Sequence, residues 1–180
     1  MIGGEYFLLK LAIIPARSGS KRIPNKNIIE FFGYPMIYYA LDAVSKSGMF
    51  DEVHVSTDSS EIATICSKLG YRTRFLRPPE LSDDSVGLSA VIKWVLESFE
   101  REGERYSEIC CVMPCAPLLK YSDIKEAYLH YWFDKDYPLL CFAKLPVPSS
   151  WAFYKSEGYM CPVHHSNLKV RSQDLSKEFY

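Results

Sequence analysis

Between Leu8 and Ala16 the chain is almost continuously apolar, and it then turns abruptly into a loop rich in Ser, Gly, Lys and Arg. The stretch Leu11–Asn27 reads LAIIPARSGSKRIPNKN. An unbroken apolar run of this length is expected of a strand buried on both faces of a parallel sheet, because neither side of such a strand meets water. Past Pro15, the small residues Ser18, Gly19 and Ser20 let the backbone come close to a ligand and turn its N–H groups toward an anion. Arg17, Lys21, Arg22 and Lys26 crowd the same loop with few acidic neighbours. A buried strand opening into a basic, glycine-containing loop is what a polyphosphate site requires. The plainer alternative is a solvated surface loop with scattered charges, and Pro15 and Pro24, which stiffen the loop, weigh against it. The loop is not of the Walker A type, since no Gly-Lys-Ser/Thr follows, and it lacks the G-x-G-x-x-G of a dinucleotide site.

The 180 residues suit one α/β domain, and a hydrophobic fraction of 48% fits an ordinary globular core. A net charge of −1 argues against a nucleic-acid binder with a broad basic face, which leaves local charge as the informative quantity. No apolar run approaches the roughly 20 residues of a membrane span. The start, MIGGEYFLLK, lacks the basic flank and small-residue cleavage site of a secretion signal, so a cytoplasmic protein is expected. Six cysteines (Cys66, Cys110, Cys111, Cys115, Cys141 and Cys161) form no C-x-x-C pair and read as small apolar residues in a reducing compartment. Cys161 with His164 and His165 lacks two further ligands for a zinc corner.

Pro35 stands where a helix would take its first residue, Ile37, Ala40, Leu41 and Val44 give that helix an apolar stripe, and Gly48 is placed to end it. Val53–Thr57 reads as a strand, and a second helix starts from Asp58 or Ser59, with Glu61 placed to complete a cap. Ile62, Ile65, Cys66 and Leu69 face its core side and Gly70 stops it. A third strand is expected over Tyr71–Leu76, broken by Arg77-Pro78-Pro79, and a third helix over about Ser85–Arg101. Ile109–Met113 reads as a central strand, Asp123–Phe133 as a helix and Leu139–Ala143 as another strand. Strict alternation of strands and helices predicts a doubly wound, mostly parallel sheet. Ligands of such sheets bind at the carboxyl ends of the strands, so the loops at 15–27, 58–59, 77–85 and 114–117 should line one edge. From Pro146 onward the chain is rich in aromatics and proline without a period, as in a folded-back loop or an arm that packs on a second subunit.

The stretch IIPARSGSKRIPNKNI resembles the signature of the acylneuraminate (CMP-sialic acid) cytidylyltransferases, which activate nine-carbon acidic sugars with CTP. The related family acting on an eight-carbon sugar continues instead with a Leu-Pro-Gly-Lys-Pro pattern. The resemblance implies a Rossmann-like nucleotidyltransferase fold with a protruding dimerisation arm, here over about 146–172, and a homodimer. It implies that Arg17, Ser20 and Lys21 bind the phosphates, with Ala16 and Asn27 also against the nucleotide. Arg77-Pro78-Pro79-Glu80-Leu81-Ser82-Asp83-Asp84 resembles the family's R-P-x-E-L-x-x-D, in which the Arg lies against the cytosine. An ion pair of Arg77 with Glu80 at a strand end is the structural alternative. Asp58 matches the family's S-T-D, but a helix N-cap is its other role, and Asp83 and Asp84 can sit beside a metal or cap the next helix. Met113-Pro114-Cys115-Ala116-Pro117-Leu118 stands where sialic acid enzymes often carry Gln-Pro-Thr-Ser-Pro-Leu, so polar groups that would line neuraminic acid are replaced.

Arg171-Ser172-Gln173-Asp174-Leu175 resembles the R-S-Q-D-L of the pseudaminic acid cytidylyltransferase branch, which serves bacterial surface glycans and flagellins. It marks Arg171 and Gln173 as sugar-binding candidates. Members of the family continue into a segment carrying an acidic pair that holds Mg²⁺, whereas this sequence stops at Glu178-Phe179-Tyr180. The expectation is therefore a fragment of the family domain or a chain without the metal ligands. The reading is a CTP:nonulosonic acid cytidylyltransferase using Mg²⁺, with pseudaminic acid as the sugar. An N-acylneuraminate enzyme, a non-catalytic nucleotide-binding domain, and a sugar nucleotidyltransferase for another base stay as alternatives.

Overall fold

A computed structural model describes residues 9–20, 23–83, 85–143 and 152–164. The chain divides into two units, Met1–Phe133 and Asp134–Tyr180.

In the first unit, β1 (Lys10–Pro15) is the centre of a parallel sheet, with β4 (Glu52–Ser56) on one side and β5 (Glu108–Cys111) on the other. Leu11, Ala12, Ile13 and Ile14 of β1 are all fully buried, as the apolar run predicts. Period-2 alternation then sorts these residues between two cores. Ala12 and Ile14 join Ile37, Leu41 and Val44 of α1 (Ile37–Ser47), Ile62 and Cys66 of α2 (Ser60–Lys68) and Ile124 of α4 (Tyr121–Phe133). Leu11 and Ile13 pack on the other face against Val95 and Phe99 of α3 (Leu88–Arg101). Helices on both faces of a parallel sheet are the doubly wound arrangement that the sequence predicts.

The ends of the elements follow local chemistry. Gly48 ends α1 in the left-handed region, at φ 63°, where a side chain is strained. At the end of α2 the glycine comes one position later: Gly70, at φ 90°, follows the C-cap Leu69. Pro35 does not open α1, however. It pairs with Glu30 in a two-residue hairpin of β2 (Glu30–Phe31) and β3 (Tyr34–Pro35), and the helix begins at Ile37.

Two expected strands are absent among the described residues. Residues 71–76 form an irregular connection with a bend at Phe75, and the middle of the segment is drawn into other contacts. Arg74 pairs with Glu102 and Glu104 at 2.5 and 2.6 Å, while Phe75 docks on His54, Trp94 and Phe99. Strand and helix therefore do not alternate strictly, and α2 is followed by α3 with no strand between them. In the second unit, residues 139–143 also carry no ladder, and Leu140 and Phe142 are 69% and 64% exposed. That unit contains an antiparallel hairpin of β6 (Phe153–Ser156) and β7 (Tyr159–Pro162), with its turn at Glu157-Gly158. It lies within the expected arm, the rest of which falls largely outside the described residues.

Candidate functional site

The carboxyl ends of β1 and β4 meet at a single backbone atom. The Ser56 carbonyl at the end of β4 accepts the N–H of Ala16 at 2.9 Å and the Arg77 Nη2–H at 2.8 Å. One residue on, the Thr57 carbonyl accepts the Arg77 N–H at 2.7 Å. The loops after β1, after β4 and after residue 76 are thereby tied into one rim, at the edge where a parallel sheet takes its ligand.

Arg77 is the most deeply buried of the described cations of this rim. It is 5% exposed, and its guanidinium bonds the Ser56 carbonyl and, at 3.5 Å, the Leu81 carbonyl of the short 3₁₀ turn Pro79–Leu81. Its Nε has no hydrogen-bond partner. Its partners are thus carbonyls, and Glu80 is not among them, so the ion-pair alternative does not hold. Burial lowers the pKa of the guanidinium from its ordinary value, Asp58 acts against this and Arg17 adds to it. The Nε donor is buried as well, so it carries the cost of an unmet hydrogen bond.

Arg77 lines a cleft of about 670 Å³ together with Ser18, Gly19, Asp58, Ser82 and Asp83. Asp58 does not cap α2. That role belongs to Ser59, whose hydroxyl accepts the Ile62 N–H at 3.3 Å, with Glu61 in the first turn. Asp58 instead reaches the loop after β1, taking the Ser18 N–H on Oδ1 at 2.8 Å and the Ser18 hydroxyl on Oδ2 at 2.7 Å. Burial raises its pKa, but the hydrogen bonds from Ser18 and nearby Arg77 outweigh this and hold the carboxyl below its usual range. Asp83 accepts from the N–H and hydroxyl of Ser85, and α3 is capped by Gly87, so Asp83 is not the helix cap either.

The remaining candidates divide by burial. Ala16 is fully buried and its side chain belongs to the core, so only its backbone takes part in the rim. Arg17 is half-buried, and its carbonyl accepts the Asn27 side-chain amide at 2.9 Å. Asn27 itself is 3% exposed, and its Oδ1 accepts from the Cys115 thiol at 3.3 Å, which brings the loop after β5 to the loop after β1. Ser20 is half-buried, with its N–H on the Ser18 carbonyl at 2.8 Å. Lys21, Asp84, Arg171 and Gln173 lie outside the described residues.

Sequence reasoning singled out the loop, Asn27 and Arg77, which the structure brings to one edge. It did not foresee the Asp58–Ser18 link or the Asn27–Cys115 contact. The available signal for the first was a carboxylate at a strand end opposite a loop of small hydroxyl residues.

Comparison with known proteins gives this geometry a context. The family model described as Cytidylyltransferase matches residues 11–172. The chain is 39% identical over 173 residues to a pseudaminic acid cytidylyltransferase of Campylobacter jejuni serotype O:2, covering 94% of this chain and 74% of that one. It is 35% identical over 173 residues to an N-acylneuraminate cytidylyltransferase of Streptococcus agalactiae serotype V, covering 94% of this chain and 41% of that one. Among solved structures, a CMP:2-keto-3-deoxy-manno-octonic acid synthetase complexed with CTP shares the fold, with a TM-score of 0.65 at 16% identity over 95% of this chain and 70% of that one.

Proposed function

The chain belongs to the cytidylyltransferase family, and from that premise we propose that it transfers CMP from CTP to a nonulosonic acid, with pseudaminic acid as the sugar. The observation that carries the reading is the cleft itself, which Ser18 and Gly19 of the loop after β1 line together with the buried Arg77. The relative with 39% identity, named for pseudaminic acid, supports the choice of sugar.

In this reaction the sugar's anomeric hydroxyl attacks the α-phosphorus of CTP and pyrophosphate leaves. The protein's part is to position the reactants and offset charge as it develops. In the proposal Arg17, Ser20 and Lys21 hold the triphosphate, and the Ala16 backbone takes part in the same site. Arg77 and Asn27 set the nucleoside end, Arg77 directly and Asn27 by bracing the Arg17 carbonyl. Arg171 and Gln173 take the sugar, where an arginine fork suits a carboxylate.

Mg²⁺ is the cofactor of the proposal. Among the described residues no group of three His, Cys, Asp or Glu side chains gathers, and the Asp58 carboxylate is bonded to Ser18. One or two carboxylates together with the substrate's phosphates suffice for Mg²⁺, so the ion stays part of the proposal, where it would offset the charge developing on the phosphates, and the assay measures its requirement.

A homodimer and a cytoplasmic location complete the proposal. The β6–β7 hairpin supports the first, since Tyr154, Tyr159 and Met160 are 53%, 76% and 63% exposed, an apolar surface suited to a partner subunit. The use of CTP supports the second, and no described helix is long and apolar enough to cross a membrane.

The test is pyrophosphate release from CTP, with and without Mg²⁺, using pseudaminic and N-acetylneuraminic acids in parallel, and light scattering on the same preparation. Release with pseudaminic acid alone, from a protein of dimer mass, is expected. Release with neuraminic acid alone overturns the sugar assignment, and CTP binding without release with either acid favours a nucleotide-binding domain.

A further inference from the structure

An ionised carboxylate beside a triphosphate site needs a reason to be there, because uncompensated it repels the ligand. Asp58 occupies such a place, on the wall of the cleft and next to the loop that is to hold the phosphates. Three tasks fit a carboxylate here: holding a metal ion, receiving the proton of the attacking hydroxyl, or holding the loop. The geometry separates them. Both carboxylate oxygens accept hydrogen bonds from one residue, the N–H and the hydroxyl of Ser18. That two-point grip fixes backbone and side chain of Ser18 together, and the Ser18 carbonyl passes the constraint on by accepting the Ser20 N–H.

The other end of Asp58 is equally well fixed. Its neighbour Thr57 is fully buried, accepts the Arg77 N–H on its carbonyl, and takes the Ser59 N–H on its hydroxyl at 3.1 Å. Ser59 in turn caps α2. Asp58 therefore stands on a rigid corner between β4 and α2, and extends its side chain across to an otherwise exposed loop. Hydrogen bonds to a charged acceptor are the stronger class, so the loop is held by the strongest local means available.

We propose that Asp58 is a positioning residue that sets the shape of the phosphate loop through Ser18, and that it neither ligates the metal nor takes the proton of the sugar hydroxyl. This inference rests on the cytidylyl-transfer reading for its kinetic consequences, while its structural consequence stands without it.

Three variants test it: Asp58→Asn, Ser18→Ala, and the two combined. For a loop holder, Asp58→Asn raises the KM for CTP about tenfold and leaves kcat within about twofold, the scale of losing one charge-assisted hydrogen bond. Ser18→Ala keeps the backbone bond and raises the KM only about threefold. The combined variant is no worse than Asp58→Asn, because both substitutions break one link. The Mg²⁺ concentration for half-maximal rate at saturating CTP is unchanged in all three. An increased Mg²⁺ demand confined to Asp58→Asn, or a collapse of kcat at unchanged KM, overturns the proposal, and so do losses that multiply in the combined variant.

Hydrogen–deuterium exchange of the free protein gives a second readout that needs no turnover. Amides at 17–20 should exchange faster in Asp58→Asn and in Ser18→Ala, with α3 unaffected, and unchanged exchange at 17–20 overturns the proposal. If the wild-type chain releases no pyrophosphate at all, the functional reading falls and the exchange result alone decides the role of Asp58.

Discussion

His54 sits fully buried in β4, with its ring against Phe75 at 4.4 Å and Phe99 at 5.3 Å, and neither ring nitrogen has a hydrogen-bond partner. Burial, reinforced by nearby Arg74, lowers its pKa from 6.5 to about 3. The unfolded chain therefore binds a proton at this residue below pH 6.5, while the folded chain does so only near pH 3. Between those values stability falls as pH falls, because protons favour the unfolded state. From pH 7 to pH 5 the loss attributable to His54 is about 2 kcal/mol. Urea denaturation at those two pH values is expected to show this loss in the wild type and little of it in His54→Leu. An equal loss in both proteins refutes the assignment. Nothing in the local sequence, Val53-His54-Val55, marks the residue as a core histidine without a partner. Its environment comes from α3 and from the segment before Arg77, elements distant in sequence.

At the scale of the element, the start of α2 shows how two adjacent residues with the same propensity divide their tasks. Asp58 and Ser59 are both good N-caps by residue type, and local sequence cannot choose between them. The chain settles it by register: Ser59, at φ −106° and ψ 121°, takes the cap position, which frees Asp58 to bond Ser18. Ser59→Ala should therefore cost about 1 kcal/mol of stability, as loss of a cap does, while the KM for CTP stays near the wild-type value. A denaturation midpoint unmoved by Ser59→Ala shows that the cap contributes nothing; a shifted KM shows that the corner is less rigid than its bonds indicate. The same element scale explains what was legible. β1 could be read directly, because burial on both faces writes an unbroken apolar run. α1 and α3 could be read from their apolar stripes to within a few residues. The expected strand at 71–76 could not be excluded, because its apolar ends are those of a strand. Only the pairing of Arg74 with Glu102 and Glu104, about thirty residues away, shows why the segment forms no ladder.

For the first unit as a whole, the parallel sheet does what no single motif does, and delivers loops from distant parts of the sequence to one edge. The Cys115–Asn27 contact spans 88 positions and the Asp58–Ser18 contact 40, so neither is written in any local pattern. The candidate residues could be listed from sequence, but the links that couple them are tertiary. This coupling has a consequence for binding. Ala16, Arg77 and, through Asp58, Ser18 are all secured to the three residues 56–58. A ligand that orders one of these loops should order the others, since ordering entropy spent on one is shared through the common anchor. Adding CTP at about 100 times its Kd should stabilise the protein by about 2.7 kcal/mol. Exchange should then slow together at 16–20, 56–58 and 77–83. In Arg77→Ala the stabilisation should shrink, and protection should weaken at 16–20 as well as at 77–83, although residue 77 lies far from that loop in sequence. Protection lost only at 77–83, with 16–20 protected as in the wild type, would mean that the rim is three independent loops sharing an edge. Loss at both places would show that the Ser56 carbonyl and Asp58 make them one binding element.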